Sequence, residues 1–208
     1  MSSITHSLRN SSSSVESLGD YIVNHVPYPP AHFLLTSQFP LWSSEKSCPR
    51  AYNDSEITFG AFDPIYLMTK CNPNLGKYMS VSLLYRGDFT PSETNYAICS
   101  SEIKKKVQFV NWCAGRIKCR FNYEIPKVFP NSDLAILLKN VFLYCNSSAM
   151  SEVFQRILSR FDLSFANRKH LIKLYQEGID DELLIKNRET IKVIIGDFEE
   201  IVKETEDY

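Results

Sequence analysis

Glycine is scarce in this sequence, and each glycine stands alone. The seven, at positions 19, 60, 76, 87, 115, 178 and 196, form neither G-x-x-x-x-G-K-[ST] nor G-x-G-x-x-G. No phosphate cradle of backbone N–H groups can therefore be built from a local pattern. The four histidines, His6, His25, His32 and His170, lack H-E-x-x-H spacing. The six cysteines, Cys48, Cys71, Cys99, Cys113, Cys119 and Cys145, contain no C-x-x-C pair, which leaves reduced thiols as the expectation rather than zinc ligation. No stretch approaches the roughly 20 apolar residues of a membrane span, and residues 1–14, MSSITHSLRNSSSS, carry no secretory apolar run. The sequons at Asn10, Asn53 and Asn146 are then expected to stay unmodified, and the Arg86-Gly87-Asp88 tripeptide to have no adhesion role. Ser101-x-x-Lys104 lacks the companion motifs of S-x-x-K chemistry. Lys104–Lys106 is a basic run without a surrounding basic surface. These absences predict a cytoplasmic chain that holds no metal, no nucleic acid and no membrane, and that is no enzyme on its own.

Charge, by contrast, is present and unevenly placed. The formal net charge is −1, yet residues 177–208 hold eleven acids against four bases, leaving the first 176 residues at +6. A mildly basic body thus ends in an acidic segment. Hydrophobic residues make up 44% of the 208, enough for one well-filled core.

Local signals predict strands mixed with helices, followed by helices alone. Residues 15–25 read as a short helix stopped by VPYPP, and 32–39 as a strand in which His32 is a structural residue. Asp54 is expected to cap a helix through Phe62, and Asp63-Pro64 to open another turn. In YMSVSLLYRGDFTP (78–91), Met79, Val81, Leu83 and Tyr85 alternate with Ser80 and Ser82, which is strand periodicity. Gly87 permits a sharp turn, and Thr90-Pro91 with Glu93 resembles a capping box starting a helix to about Lys106. Residues 107–112, 116–122 and 140–145 read as strands. In the second of these, Ile117, Cys119 and Phe121 point inward, and Arg116, Lys118 and Arg120 outward. A helix capped by Ser147 or Ser148 has an apolar face of Met150, Val153, Phe154, Ile157, Leu158 and Phe161. A second helical stretch covers 164–176 and is broken by Gly178. The last helix, 181–203, carries Leu184, Ile191, Ile194, Phe198 and Ile201 on one side. This order predicts an α+β or α/β (sandwich-like) lobe with helices laid across it.

Several fragments occur in an order that resembles the C-terminal half of tubulin. They are MSSITHSLR (1–9), VPYPPAHF (26–33), SEK (44–46), EIT (56–58), KCNPNLGKYM (70–79), LLYRGD (83–88), VQFVNWC (107–113), FNYEIP (121–126), NSSAM (146–150), FDLSFANR (161–168) and Glu177-Gly178. LLYRGD and VQFVNWC at this spacing are the most specific of them. The loop KVFPNSDL (127–134) and the terminal Glu206-Asp207-Tyr208 resemble the α-type chain.

The resemblance implies an intermediate-type α/β domain over 1–146 with a mixed sheet flanked by helices, a helical hairpin over 147–203, and an acidic tail over 204–208. It implies a microtubule constituent that partners β-type tubulin and microtubule-associated proteins. GTP is the family's nucleotide, but the GTP-binding half has no counterpart in these residues, so no cofactor is expected on this chain alone. By alignment on Val26-Pro27-Tyr28-Pro29, Asp20 occupies the position of an acid that acts in trans on the neighbouring subunit's GTP. The family has glutamate there, one methylene longer, while a second family acid falls on Ser17 and a glycine on Ser12. Tyr208 corresponds to a removable terminal tyrosine, and Glu199, Glu200, Glu204, Glu206 and Asp207 to a partner-docking surface. The lateral-contact loop corresponds to about Ser37–Tyr52, where Pro49 replaces a family histidine. Lys173-Leu174 replaces a Trp-Tyr pair. Two alternatives accompany the subunit reading: a module that binds tubulin, chaperones or microtubule ends, and a fragment supplying a catalytic acid in trans.

Overall fold

The computed structural model describes residues 18–45, 51–113, 115, 117–125, 128 and 132–203. Its centre is a four-stranded mixed sheet of β1 (Leu35–Phe39), β2 (Tyr78–Arg86), β3 (Ile117–Asn122) and β4 (Asn140–Ser147), in the order β1-β4-β2-β3. β4 runs antiparallel to both β1 and β2, and β3 lies parallel to β2 on the other edge. The parallel pair is joined by a helical crossover, as such a pair requires. That crossover is α3 (Pro91–Cys99) and α4 (Ser101–Lys106).

One sheet face carries the core. Leu35, Phe39, Val81, Leu83, Tyr85, Val141, Leu143 and Cys145 point into it. Ile57 and Ala61 of α2 (Asp54–Ala61), Phe62 just past its end, and Ile103 of α4 close over them. Ile117, Cys119 and Phe121 pack against this cluster as the alternation predicts, and Phe121 stacks on Tyr85 at 5.0 Å. The opposite face is polar, and α1 (Leu18–His25) lies against it.

The last third of the chain is helical: α5 (Met150–Ala166), a 3-10 turn at Arg168–Leu171, α6 (Ile172–Gln176) and α7 (Asp181–Lys203). Phe154 of α5 stacks on Phe198 of α7 at 6.3 Å. Phe198 and Ile201 then join Ala31, Met79 and Val110 in a second cluster. Arg188 clasps Asp162 across the two long helices with bonds of 2.7 and 3.1 Å.

Several elements depart from the expectations. A register shift between Tyr78 and Ser80 sends Tyr78 to the main core and Met79 to the second cluster, breaking the alternation at the start of β2. Residues 107–110 make only an isolated parallel bridge, Phe109 beside Tyr78, because β3 takes the same edge of β2 from Val81 onward. The predicted 91–106 helix is two helices, since Ser100 turns extended and its hydroxyl accepts from Ile103 N–H. The capping box at Thr90 does not form. The N–H of Thr90 donates instead to Asp54, 36 residues earlier. Asn53 rather than Asp54 is the N-cap of α2. α5 begins after Ala149, because the Ser148 hydroxyl is taken by the Lys77 N–H. Residues 164–176 divide between the end of α5, the turn and α6.

Candidate functional site

Arg86, Gly87 and Asp88 end β2, and their geometry removes the adhesion reading. Arg86 is buried with its guanidinium 4.9 Å from the Phe142 ring. Gly87 has φ +103, and a Cβ there would lie 2.1 Å from the carbonyl oxygen of Leu138. Glycine is required both by the backbone conformation and by the close approach of the segment entering β4. The sequon at Asn146 is equally unavailable. Its amide is buried and donates to His25 O at 3.1 Å and Ala31 O at 2.7 Å.

Nucleophilic and metal chemistry find no support among the described residues. No group of three or more His, Cys, Asp or Glu side chains could hold a metal ion there. Cys71, Cys99, Cys113, Cys119 and Cys145 are free. Burial, with a smaller effect from Cys99, pushes the Cys119 thiol up to about 11, and burial raises Cys145 further still. Thiols held protonated are poor nucleophiles. His32 is not on β1; it is exposed, with Nδ1 near the carbonyls of Pro29 and Pro30.

Two places hold the residues singled out from the sequence, and they sit on different elements. Asp20 is exposed in the first turn of α1, followed by Ile22 and Val23, which are 60% and 79% exposed. The helix is held from below by Tyr21, whose ring meets Tyr144 edge-on at 5.9 Å, and by the bonds that Ser80 and Asn146 donate to His25 O. Asn24 adds an acceptor for Lys118 at 2.6 Å.

The second place is the C-terminal end of α7. Arg188 and Lys192 bond Asp162 and Glu189, which neutralises the first half of the helix. The carboxyls of Asp162 and Glu189 are held below the usual range by these hydrogen bonds. Asp197, Glu199 and Glu200 then follow with Lys203 as the one base of that half. Glu199 accepts from Gln155 of α5 at 3.0 Å. It lines a cavity of about 400 Å³ with Glu152, Leu75, Phe198, Val202 and Lys203. Glu204, Glu206, Asp207, Tyr208, Pro49, Ser17 and Ser12 lie outside the described residues, as do Arg116 and half of the KVFPNSDL loop. Lys173 is exposed on α6.

The sequence of the Tubulin C-terminal domain matches residues 29–159. The chain belongs to the tubulin family. It is 39% identical over 204 residues to a tubulin alpha-3 chain of Zea mays, covering 98% of this chain and 45% of that one. It is also 39% identical over 207 residues to a nucleomorph tubulin alpha chain of Guillardia theta, covering 100% and 46%. The chain thus spans somewhat under half the length of these relatives. The fold agrees with the resemblance read from LLYRGD and VQFVNWC, and no described helix is long and apolar enough to cross a membrane.

Motif reading missed the roles of the residues that hold these places together. Asp54 reads locally as a helix cap and Asn146 as a sequon, and nothing local marks His25 or Lys139 as a seam or ion-pair residue. The acceptors and charges that give them their roles come from segments up to 121 residues distant.

Proposed function

We propose that the chain is an α-type structural constituent of the microtubule cytoskeleton, acting in the cytoplasm through contact with β-type tubulin and with proteins that bind the outer hairpin. The observation that carries this reading is the 39% identity to alpha chains running along essentially the whole sequence. Charge segregation along α7 supports a docking role for its C-terminal end. Glu199, Glu200 and the following Glu204, Glu206 and Asp207 would meet basic partners, and Tyr208 would be available for removal. The chain takes no nucleotide of its own in this reading, and any GTP belongs to the neighbouring subunit. Residues 1–146, 147–203 and 204–208 are the intermediate-type domain, the hairpin and the tail.

The test is co-sedimentation of the purified chain with assembled microtubules. Saturable pelleting at a fixed ratio to tubulin supports the reading, and a chain that stays in the supernatant rejects it.

A binding module is the second reading, favoured by one observation. Ile22 and Val23 on α1, and Leu134, Ile136 and Leu138 on the segment entering β4, are large apolar side chains left exposed. Such surfaces mark contact sites. A module of this kind would inhibit assembly at substoichiometric ratios, whereas a constituent would join the polymer.

A further inference from the structure

We propose that α1 is an acid-releasable latch, held on the polar face of the sheet by the neutral form of His25. The seam has few components. His25 is the last residue of α1 and is only 1% exposed. Its backbone oxygen accepts from Ser80 of β2 at 2.9 Å and from Asn146 of β4 at 3.1 Å. Its ring lies 4.3 Å from that of Tyr21, and its Nδ1 is buried without an acceptor.

An imidazolium there would be doubly disfavoured. It would bury an N–H with nothing to accept it, and it would face the cation of Lys118 on β3. The other groups recorded at the seam are Tyr21 and Asn24 on α1, and Tyr144 and Cys145 on β4; none supplies a negative charge at neutral pH, and burial and Lys118 are what act on the ring. Protonation would be favoured by the helix C-terminus, but burial and Lys118 outweigh that and hold the imidazole down to about 4. The rest of the grip is the Tyr21–Tyr144 edge contact and the Lys118–Asn24 bond, while the outward side of α1 carries the exposed Ile22 and Val23.

A released helix has an ordinary, solvated histidine. Its pKa near 6.5 lies above that of the docked state, so protons favour release. Docking is undiminished above about pH 6.5, weakens through the window down to about 4, and is constant below it. Across that window the docked-to-released ratio falls by about 100-fold. Release frees Asp20 from its fixed position and uncovers Tyr144 and Asn146.

Amide hydrogen exchange on the full-length chain, corrected for intrinsic rates, tests this from pH 7 to pH 4, together with the NMR titration of the His25 ring. The expected result is a fall of about 100-fold in protection of residues 21–26 on acidification, with β2 and β4 unchanged, and loss of that pH dependence in His25→Phe. Lys118→Met should move the His25 ring titration to higher pH and shrink the acid-driven loss of protection, and it serves as the reporter if His25→Phe does not fold, with Asn24→Ala as the control for the Lys118–Asn24 bond that it also removes. A His25 titrating near 6.5 with α1 still protected, or acid release persisting in His25→Phe, would overturn the latch. So would a His25 ring titration unmoved by Lys118→Met.

Discussion

Lys139 Nζ donates to Asp54 Oδ1 at 2.8 Å, and this one bond joins the entry of β4 to the start of α2. The other carboxylate oxygen accepts from Thr90 N–H at 2.9 Å, so Asp54 gathers three separate segments. The ammonium also lies 5.3 Å from the Phe89 ring centroid, which adds a second attraction for the cation. Removing one member of a buried pair strands the other's charge. Lys139→Met is expected to cost about 3 kcal/mol, and the double change Asp54→Asn with Lys139→Met less than the sum of the single ones. Urea denaturation of the four proteins of this cycle measures both.

Two glycines with positive φ separate conformational strain from steric clash. Gly87 has φ +103 and would drive a Cβ into the Leu138 carbonyl, whereas Gly178 has φ +83 with nothing within 4 Å. Gly178→Ala should cost only the left-handed backbone penalty, about 1 kcal/mol. Gly87→Ala adds a backbone displacement to that penalty and should cost at least ~3 kcal/mol. Comparable thermal unfolding midpoints for the two variants would refute the steric part of the argument.

These residues also mark what could be read from the sequence. β3 was legible because its two faces alternate and its inward residues meet the core. The turn at Gly87 was legible because only glycine serves there. Met79 was not, because the irregularity at Tyr78/Ser80 depends on pairing with β4, about 67 residues on. The VQFVNW segment has strand composition, but β3 takes the β2 edge from Val81 onward and leaves it one bridge, Phe109 to Tyr78. Thr90 shows the same competition at a helix start, where a distant aspartate took the N–H that Glu93 was expected to accept. Asp20 and Glu199 were located by alignment, but what holds each in place, the Asn146–His25 seam and the Gln155 bond, exists only in the folded chain.

The docking role of α7 predicts a charge effect with little change in stability. Glu200 is exposed, and among the described residues Glu199 bonds Gln155 at the surface. Glu199→Lys with Glu200→Lys should therefore leave the unfolding midpoint almost unchanged. Binding of a polylysine probe should weaken, and its salt dependence should become shallower. Fluorescence anisotropy at two salt concentrations reads both. Equal affinity and equal salt slope in the variant would remove α7 from the docking surface.

Asp20 gives the sharpest test of action in trans. Its carboxylate projects from an exposed position on a helix that the sheet holds through His25 and Asn146. If it helps to activate water at a neighbouring subunit's GTP, geometry dominates its effect, and an error of about 1 Å costs on the order of 100-fold in rate. Asp20→Ala should then lower GTP turnover in mixed polymers, while Asp20→Glu, one methylene longer, should restore or raise it. Asn146→Ala provides a control of a different kind. It leaves the carboxylate intact but loosens the seam beneath α1, so it should lower turnover without removing the acid. Turnover per assembled subunit is the measurement, because changes in assembly would otherwise pass for changes in catalysis. Equal turnover in wild type, Asp20→Ala and Asp20→Glu would assign Asp20 to the solvated face of α1 and leave the chain with a structural role only.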